Sequence, residues 1–288
     1  MILSFNPVVT GEENLTCAGR PPGPEEIAAV SRAAAVILPQ GLREDLYRLC
    51  RSLCPLVWPN YDVRFDYPGK IGQALLFAAH NRPRPQTVVF PSVADYLRRR
   101  HGALPRPFVL KASAAGQGTG VYPVWKTAQQ TAALRLLEQQ ERLGRGGFVQ
   151  QEMIDHGGRD LRVVLLGRKT LSYWRWAPPG QPFLTNVAAG GVIDFDSDPE
   201  LRRQGEEAVL NFARETRIDL AGFDLLFDHQ GDPRQPLFLE INFYFGRQAL
   251  GGSEKYYRLL NRAVQDWLKE NGLKKGKVRS RPHYDQRD

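Results

Sequence analysis

Two neighbouring runs near the C-terminal end, Ala221-Gly222-Phe223-Asp224-Leu225-Leu226-Phe227 and Pro236-Leu237-Phe238-Leu239-Glu240-Ile241-Asn242, carry residues that could do chemistry. Both runs are apolar and rich in strand formers. The stretch between them, Asp228-His229-Gln230-Gly231-Asp232-Pro233, is turn-forming, which predicts an antiparallel strand pair. Side chains alternate faces along a strand, so Glu240 and Asn242 share a face, and Asp224 can join them from the neighbouring strand. Two carboxylates and a carboxamide form an all-oxygen donor set of the kind a hard divalent cation such as Mg²⁺ takes. The same residues also fit an ordinary polar solvent face. What separates the two readings lies elsewhere in the chain.

Gly116-Gln117-Gly118-Thr119-Gly120 has strand patterns on both sides, Phe108 to Lys111 before it and Gly120 to Trp125 after it. A Walker loop or a dinucleotide fingerprint opens a helix, so this loop is instead read as the tip of a hairpin, whose backbone N–H groups can close over phosphates. Lys111 on the incoming strand could reach beneath it as a point charge. Phe148 to Ile154 is extended and offers backbone groups to a purine edge and Glu152 to a ribose hydroxyl. Asp160 and Arg162 enter the next strand after a turn, and Arg162, Arg175 and Asn186 add candidates for binding phosphate or carboxylate. A plain glycine turn and surface arginines are the alternative for each taken singly.

The elements that must position these residues follow from periodicity. Residues 1–66 read as a small α/β unit: strands at Ile2 to Val9 and Ala35 to Leu38, helices at Pro24 to Ala35 and Leu42 to Leu53. A helix from about Ile71 to His80 follows, then a strand at Thr87 to Phe90 and a short helix capped by Ser92. Beyond the hairpin come a helix from Thr127 to about Leu143 and strands at Leu161 to Leu166 and Lys169 to Trp176. Ser197-Asp198-Pro199-Glu200 starts another helix, with proline near its first turn and a capping-box glutamate. A last helix, Ser253 to Glu270, ends at Gly272. Residues 67–270 form the main unit and 271–288 a basic tail that reads as disordered.

At 288 residues, 42% hydrophobic and 24% charged, the composition is that of a globular protein. No apolar run approaches the roughly 20 residues needed to span a bilayer, and the first residues do not read as a signal peptide, so a cytoplasmic protein without membrane association is expected. Cys17, Cys50 and Cys54 make no disulfide framework and read as small buried apolar residues. Neither Gly-x-Ser-x-Gly nor His-Glu-x-x-His occurs, which removes support for a serine hydrolase or a zinc protease. Of the net charge of +8, the tail carries six basic residues against two acidic ones, or +4. The remainder suits anionic ligands; no aromatic-basic interleaving points to nucleic acid.

Taken in order, these pieces resemble the ATP-grasp superfamily, most closely the branch of ribosomal-protein-modifying glutamate ligases and glutathione synthetases. The resemblance covers about Lys70 to Leu268. It rests on Lys70, Lys111, the glycine loop, Gln151-Glu152, Asp160-Leu161-Arg162, Thr185-Asn186 before Gly190-Gly191, Ala221-Gly222-Phe223-Asp224 and Glu240-Ile241-Asn242. It implies an α+β ATP-grasp fold in which two lobes clasp ATP after a small α/β unit. It also implies Lys70 and Lys111 on the phosphates, with Gly116, Gly118, Gly120 and Asn186 near them. Glu152, Met153 and Asp160 would contact adenine or ribose, and Asp224, Glu240 and Asn242 would hold Mg²⁺ (or Mn²⁺). The activity implied is ligation of a small-molecule or peptide carboxylate to an amine donor, with Arg162, Arg175 and Arg247 on the acyl phosphate or substrate carboxylate. A small-molecule kinase and a non-catalytic nucleotide binder would use the same clasp. Two departures fall where the acceptor is expected: Leu184 stands where a basic residue is usual, and Phe243-Tyr244-Phe245-Gly246-Arg247 replaces a Ser-Pro-Gly turn.

Overall fold

The computed structural model describes residues 1–99, 104–114, 120–178, 180, 185, 190–273 and 279–280. Its first unit holds β1 (Ile2–Ser4), β2 (Val9–Thr10), β3 (Glu13–Asn14), α1 (Pro24–Arg32), β4 (Ala35–Ile37), α2 (Glu44–Leu53) and β5 (Val57–Trp58). The parallel sheet runs β3-β1-β4-β5. Period-two alternation divides its side chains. Leu3, Val36 and Val57 pack on α1 and α2 in one core, together with Cys17, Cys50 and Cys54. Ile2, Ala35, Ile37 and Trp58 turn the other way and share a second core with the C-terminal part of the chain. The first unit is thus built onto the rest through a common core.

Two short helices, α3 (Asp62–Asp66) and α4 (Gly69–Ala79), lead into the first lobe: β6 (Thr87–Phe90), α5 (Val93–Arg98), β7 (Phe108–Ala112), β8 (Val121–Val124), α6 (Thr127–Arg142) and β9 (Phe148–Glu152). Ser92 caps α5 by accepting from the Asp95 N–H at 3.0 Å. The antiparallel sheet β6-β9-β7-β8 buries Phe90, Phe108, Leu110 and Phe148 against α5 and α6. Its opposite face carries Thr87, Val109, Lys111, Val121 and Gln151 by register.

The second lobe holds β10 (Arg159–Leu166), β11 (Lys169–Trp176), β12 (Val192–Asp194), α7 (Pro199–Thr216), β13 (Leu220–Leu226), β14 (Leu237–Asn242) and α8 (Gly252–Glu270). Its sheet order is β12-β11-β10-β13-β14, with a register irregularity between Asp224 and Leu225. Leu161, Val163, Trp174, Phe223 and Leu225 pack on Phe212 of α7 and Phe77 of α4. Burying each such side chain stabilises by roughly 1.5–3 kcal/mol. Their neighbours in sequence therefore face the other way: Val164 and Tyr173 into the core shared with α8, and Asp160, Arg162, Arg175 and Asp224 towards the cleft. The tail corrects one expectation: β15 (Arg279–Ser280) pairs antiparallel with β2, while 274–278 and 281–288 lie outside the described residues.

Candidate active site

On the cleft face of the second lobe, register places Asp160 opposite Arg175, Arg162 opposite Asp224, and Asp224 opposite Glu240, with Asn242 beside Gly222. Asp224 receives Arg162 through Nε and through Nη2 at 3.0 Å, Arg175 Nη2 at 2.9 Å, and the Asn242 amide at 3.0 Å. Asp160 accepts from Arg175 at 2.7 and 2.5 Å and from the Thr185 hydroxyl at 2.7 Å. All four charged side chains are buried, and two positive charges balance two negative ones. Burial works to raise the Asp224 pKa, but the Arg162 and Arg175 charges overcome it and hold the carboxyl below its usual range. Glycine at 222 is what lets the Arg162 side chain lie across β13: a Cβ there would sit 3.1 Å from its Nη1.

Beyond this ladder the face opens. Glu240 accepts from Lys70 Nζ at 3.0 Å through Oε1. Between Glu240 and Asn242, the Gln73 amide bonds both the Ile241 N–H, at 2.9 Å, and its carbonyl, at 2.8 Å. Lys70 stands in the first turn of α4, whose start is tied to the exit of β7: the Lys70 N–H donates to the Ser113 carbonyl at 3.2 Å. Gly69 makes this approach possible, with φ +66° and a would-be Cβ only 2.6 Å from that carbonyl oxygen.

Across the cleft, Lys111 Nζ donates to Gln151 Oε1 at 2.6 Å, and the Gln151 amide donates to Thr87 Oγ1 at 3.0 Å. Burial, reinforced by the Lys70 charge, pulls the Lys111 pKa down to about 8 against the opposing pull of Glu240 and Asp224. A pocket between the lobes is lined by Lys111, Met153 and Asp160 together with Val109, Ile154, Leu226 and Leu239. These four aliphatic residues give the flat apolar walls a heterocycle needs. Sequence reading missed them because nothing marks an aliphatic strand residue as facing a ligand instead of a core. Glu152, at the same hinge, is exposed and accepts from the Gln86 N–H at 3.1 Å.

The structure brings together Lys70, Lys111, Asp160, Arg162, Arg175, Asp224, Glu240 and Asn242 around one cleft, with Glu152 and Met153 at its hinge. Gly120 closes the base of the hairpin, its carbonyl accepting from Ala112 at 2.8 Å; Gly116, Gly118, Leu184 and Asn186 lie outside the described residues. Two expected placements are corrected. Arg247 does not open into the cleft beside Asn242. It folds back onto α8, donating to Tyr257 Oη and to Ser253 Oγ at 3.4 Å, with its guanidinium carbon 5.0 and 4.7 Å from the Tyr256 and Tyr257 ring centres. Cation–π stacking there replaces hydration at the cleft. Asp224 points both oxygens at arginines and Asn242, where an open metal ligand was expected. Among the described residues no three His, Cys, Asp or Glu side chains are grouped to hold a metal. The donor set still fits Mg²⁺: Glu240 Oε2 and Asn242 Oδ1 have no hydrogen-bond partner among the described residues. Mg²⁺ takes one or two protein oxygens and completes its shell with phosphate and water.

Two sheets, each covered by helices outside and facing a shared slot inside, make up the ATP-grasp fold. Among solved structures, the RimK domain protein of Sphaerobacter thermophilus DSM 20745 superimposes with a TM-score of 0.61 at 14% identity, over 91% of this chain and 98% of that one. The ADP complex of an N5-carboxyaminoimidazole ribonucleotide synthetase does so with a TM-score of 0.58 at 9% identity, over 85% of this chain and 63% of that one. Residues 83–259 match the RimK-like ATP-grasp domain, and the chain belongs to that family. A probable alpha-L-glutamate ligase of Xanthomonas euvesicatoria pv. vesicatoria is 28% identical over 62% of this chain and 57% of its own length. The chain spans from 37% to 57% of the length of the curated relatives it matches. No described helix is long and apolar enough to cross a membrane.

Proposed function

We propose that the chain is an ATP-dependent carbon–nitrogen ligase that joins a carboxylate to an amine through an acyl phosphate. The observation that carries this reading is the pairing across one cleft of Glu240 and Asn242, each with an oxygen free, and the two amines of Lys70 and Lys111. Residues 67–270 form the catalytic unit and residues 1–66 contribute one wall. Val109, Ile154, Leu226 and Leu239 enclose the adenine, Met153 and Glu152 bound it at the hinge, and the two lysines hold the phosphates. Glu240 and Asn242 would hold Mg²⁺ or Mn²⁺, which would supply charge neutralisation to the phosphates. A carboxylate oxygen of the substrate attacks the γ-phosphorus and ADP leaves. The amine nitrogen then attacks the acyl carbon, orthophosphate leaves, and the nitrogen gives up a proton. Arg162 and Arg175, fixed by Asp160 and Asp224, present a rigid positive edge to the transferring group without reorganising. The names of the curated relatives, glutamate ligases, support an amino acid or peptide as substrate. The test is ADP release with carboxylate and hydroxylamine present. Acyl hydroxamate formed in step with ADP is the expected result. ADP release with a stable phosphorylated product and no hydroxamate would establish a kinase instead.

A further inference from the structure

We propose that Arg64 anchors a non-reacting carboxylate of the amino-acid or peptide substrate, and so sets acceptor choice; the inference rests on the ligase reading for its substrate class. The arginines singled out by sequence are already held by partners of their own. Arg162 and Arg175 are matched by Asp224 and Asp160, and Arg247 by Tyr257 and Ser253. Arg64, on α3, differs. Its guanidinium carbon lies 5.1 Å from the Tyr61 ring centre and 5.0 Å from that of Phe65. Its one hydrogen bond among the described residues runs from Nη1 to the Gln40 carbonyl at 2.6 Å, and no described carboxylate pairs with it. The described residues leave four of its N–H donors unused, and an incoming anion can take them. Neither Nε nor Nη2 of Arg64 is both buried and unpartnered, whereas the Tyr61 hydroxyl beside it is buried and has no partner among the described residues. Burial lowers the Arg64 pKa, and Tyr61 alone acts against that.

Position gives this cluster its role. Gln40 and Tyr61 follow the carboxyl ends of β4 and β5, the end at which open α/β sheets bind ligands. Tyr61 meets the Phe243 ring edge-on at 6.0 Å, and Gln40 Nε2 donates to the Phe243 carbonyl at 3.4 Å. Phe243 directly follows Asn242, so Gln40 and Tyr61 tie Arg64 to the turn that leaves β14 and departs from the family pattern. A guanidinium with a free edge grips carboxylate bidentately and discriminates against a neutral amide.

Calorimetry on the full chain loaded with Mg²⁺ and AMP-PNP tests this without turnover, using L-glutamate, glutarate and the neutral glutaramide as probes. In the wild type, L-glutamate or glutarate should bind and glutaramide should not. Arg64→Gln should weaken the carboxylate probe by ten- to a hundredfold while the AMP-PNP Kd stays within twofold, and Arg64→Lys should recover part of the loss. Equal carboxylate binding by wild type and Arg64→Gln, parallel loss of AMP-PNP in both variants, or a wild type that binds none of the probes would each overturn the assignment. Failure of the ligase reading shows differently: no hydroxamate or ADP forms, yet the Arg64 effect on binding persists.

Discussion

On the five-stranded sheet Arg162 and Arg175 are each matched by an aspartate, whereas across the cleft Lys111 has only the neutral amide of Gln151. The first arrangement is closed: charges sum to zero, and the hydrogen bonds run from one buried group to the next. The second is open, a desolvated amine whose pKa has fallen to about 8 because burial and the Lys70 charge outweigh the pull of Glu240 and Asp224. A site that must move a phosphoryl group needs both kinds of wall. The closed one keeps its geometry while charge shifts, and the open one gains most when an anion arrives. Glu240 and Asn242 lie at the seam, each half engaged.

If the closed wall is a structural unit, Asp224→Ala should cost about 3–5 kcal/mol in urea denaturation, since two buried arginines lose a partner together. A loss below about 1 kcal/mol would mean that the ladder relaxes and the contrast is not real. Glu240→Gln should do the reverse: stability changes by less than about 1 kcal/mol, while ADP release falls about a hundredfold, because the anionic oxygen for a hard cation is gone. For the open wall the sign follows from the depressed Lys111 pKa. Below pH 8 the ammonium is present with or without nucleotide, so AMP-PNP affinity is flat. Above pH 8 the free chain has lost the proton that the phosphates require, and affinity should fall by up to about tenfold per pH unit. Calorimetry between pH 7 and pH 10 reads this directly, and Lys111→Arg should flatten the profile. In the free chain the same shift makes stability grow as pH rises from about 8 towards 10.5, where only the unfolded state still holds the proton. The smallest effect concerns backbone room. Gly222→Ala puts a methyl 3.1 Å from Arg162 Nη1 and should cost about 1 kcal/mol, with the midpoint of thermal unfolding lowered by a few degrees.

Much of this was legible from period-two alternation. Glu240, Asn242 and Asp224 share a face because strand geometry requires it, and the long apolar strands and amphipathic helices appear within a few residues of their predicted ends. Four strands escaped: β3, β5, β12 and β15 have two or three residues each, too few for alternation to register. Pairing across 62 residues between Arg162 and Asp224 was also invisible, so both entered the reading as groups free to bind ligands. Arg247 was misplaced for a related reason. A charged residue after a metal strand reads as facing the ligand unless the tyrosines that capture it, ten positions on, are known to lie within reach. Arg64 left no signal at all, since one arginine on a five-residue helix has no periodicity to betray its surroundings.

The grip of Gln73 on Ile241 has a consequence for how a peptide substrate could be held. β14 is the edge strand of its sheet, and an unpaired edge is where an extended chain would add itself by backbone hydrogen bonds. Here the Gln73 amide imitates a peptide group against Ile241, and the Pro83 carbonyl takes the Phe238 N–H at 2.8 Å. The zipper is already fastened along that margin. An extended chain approaching β14 would therefore find those backbone positions already taken.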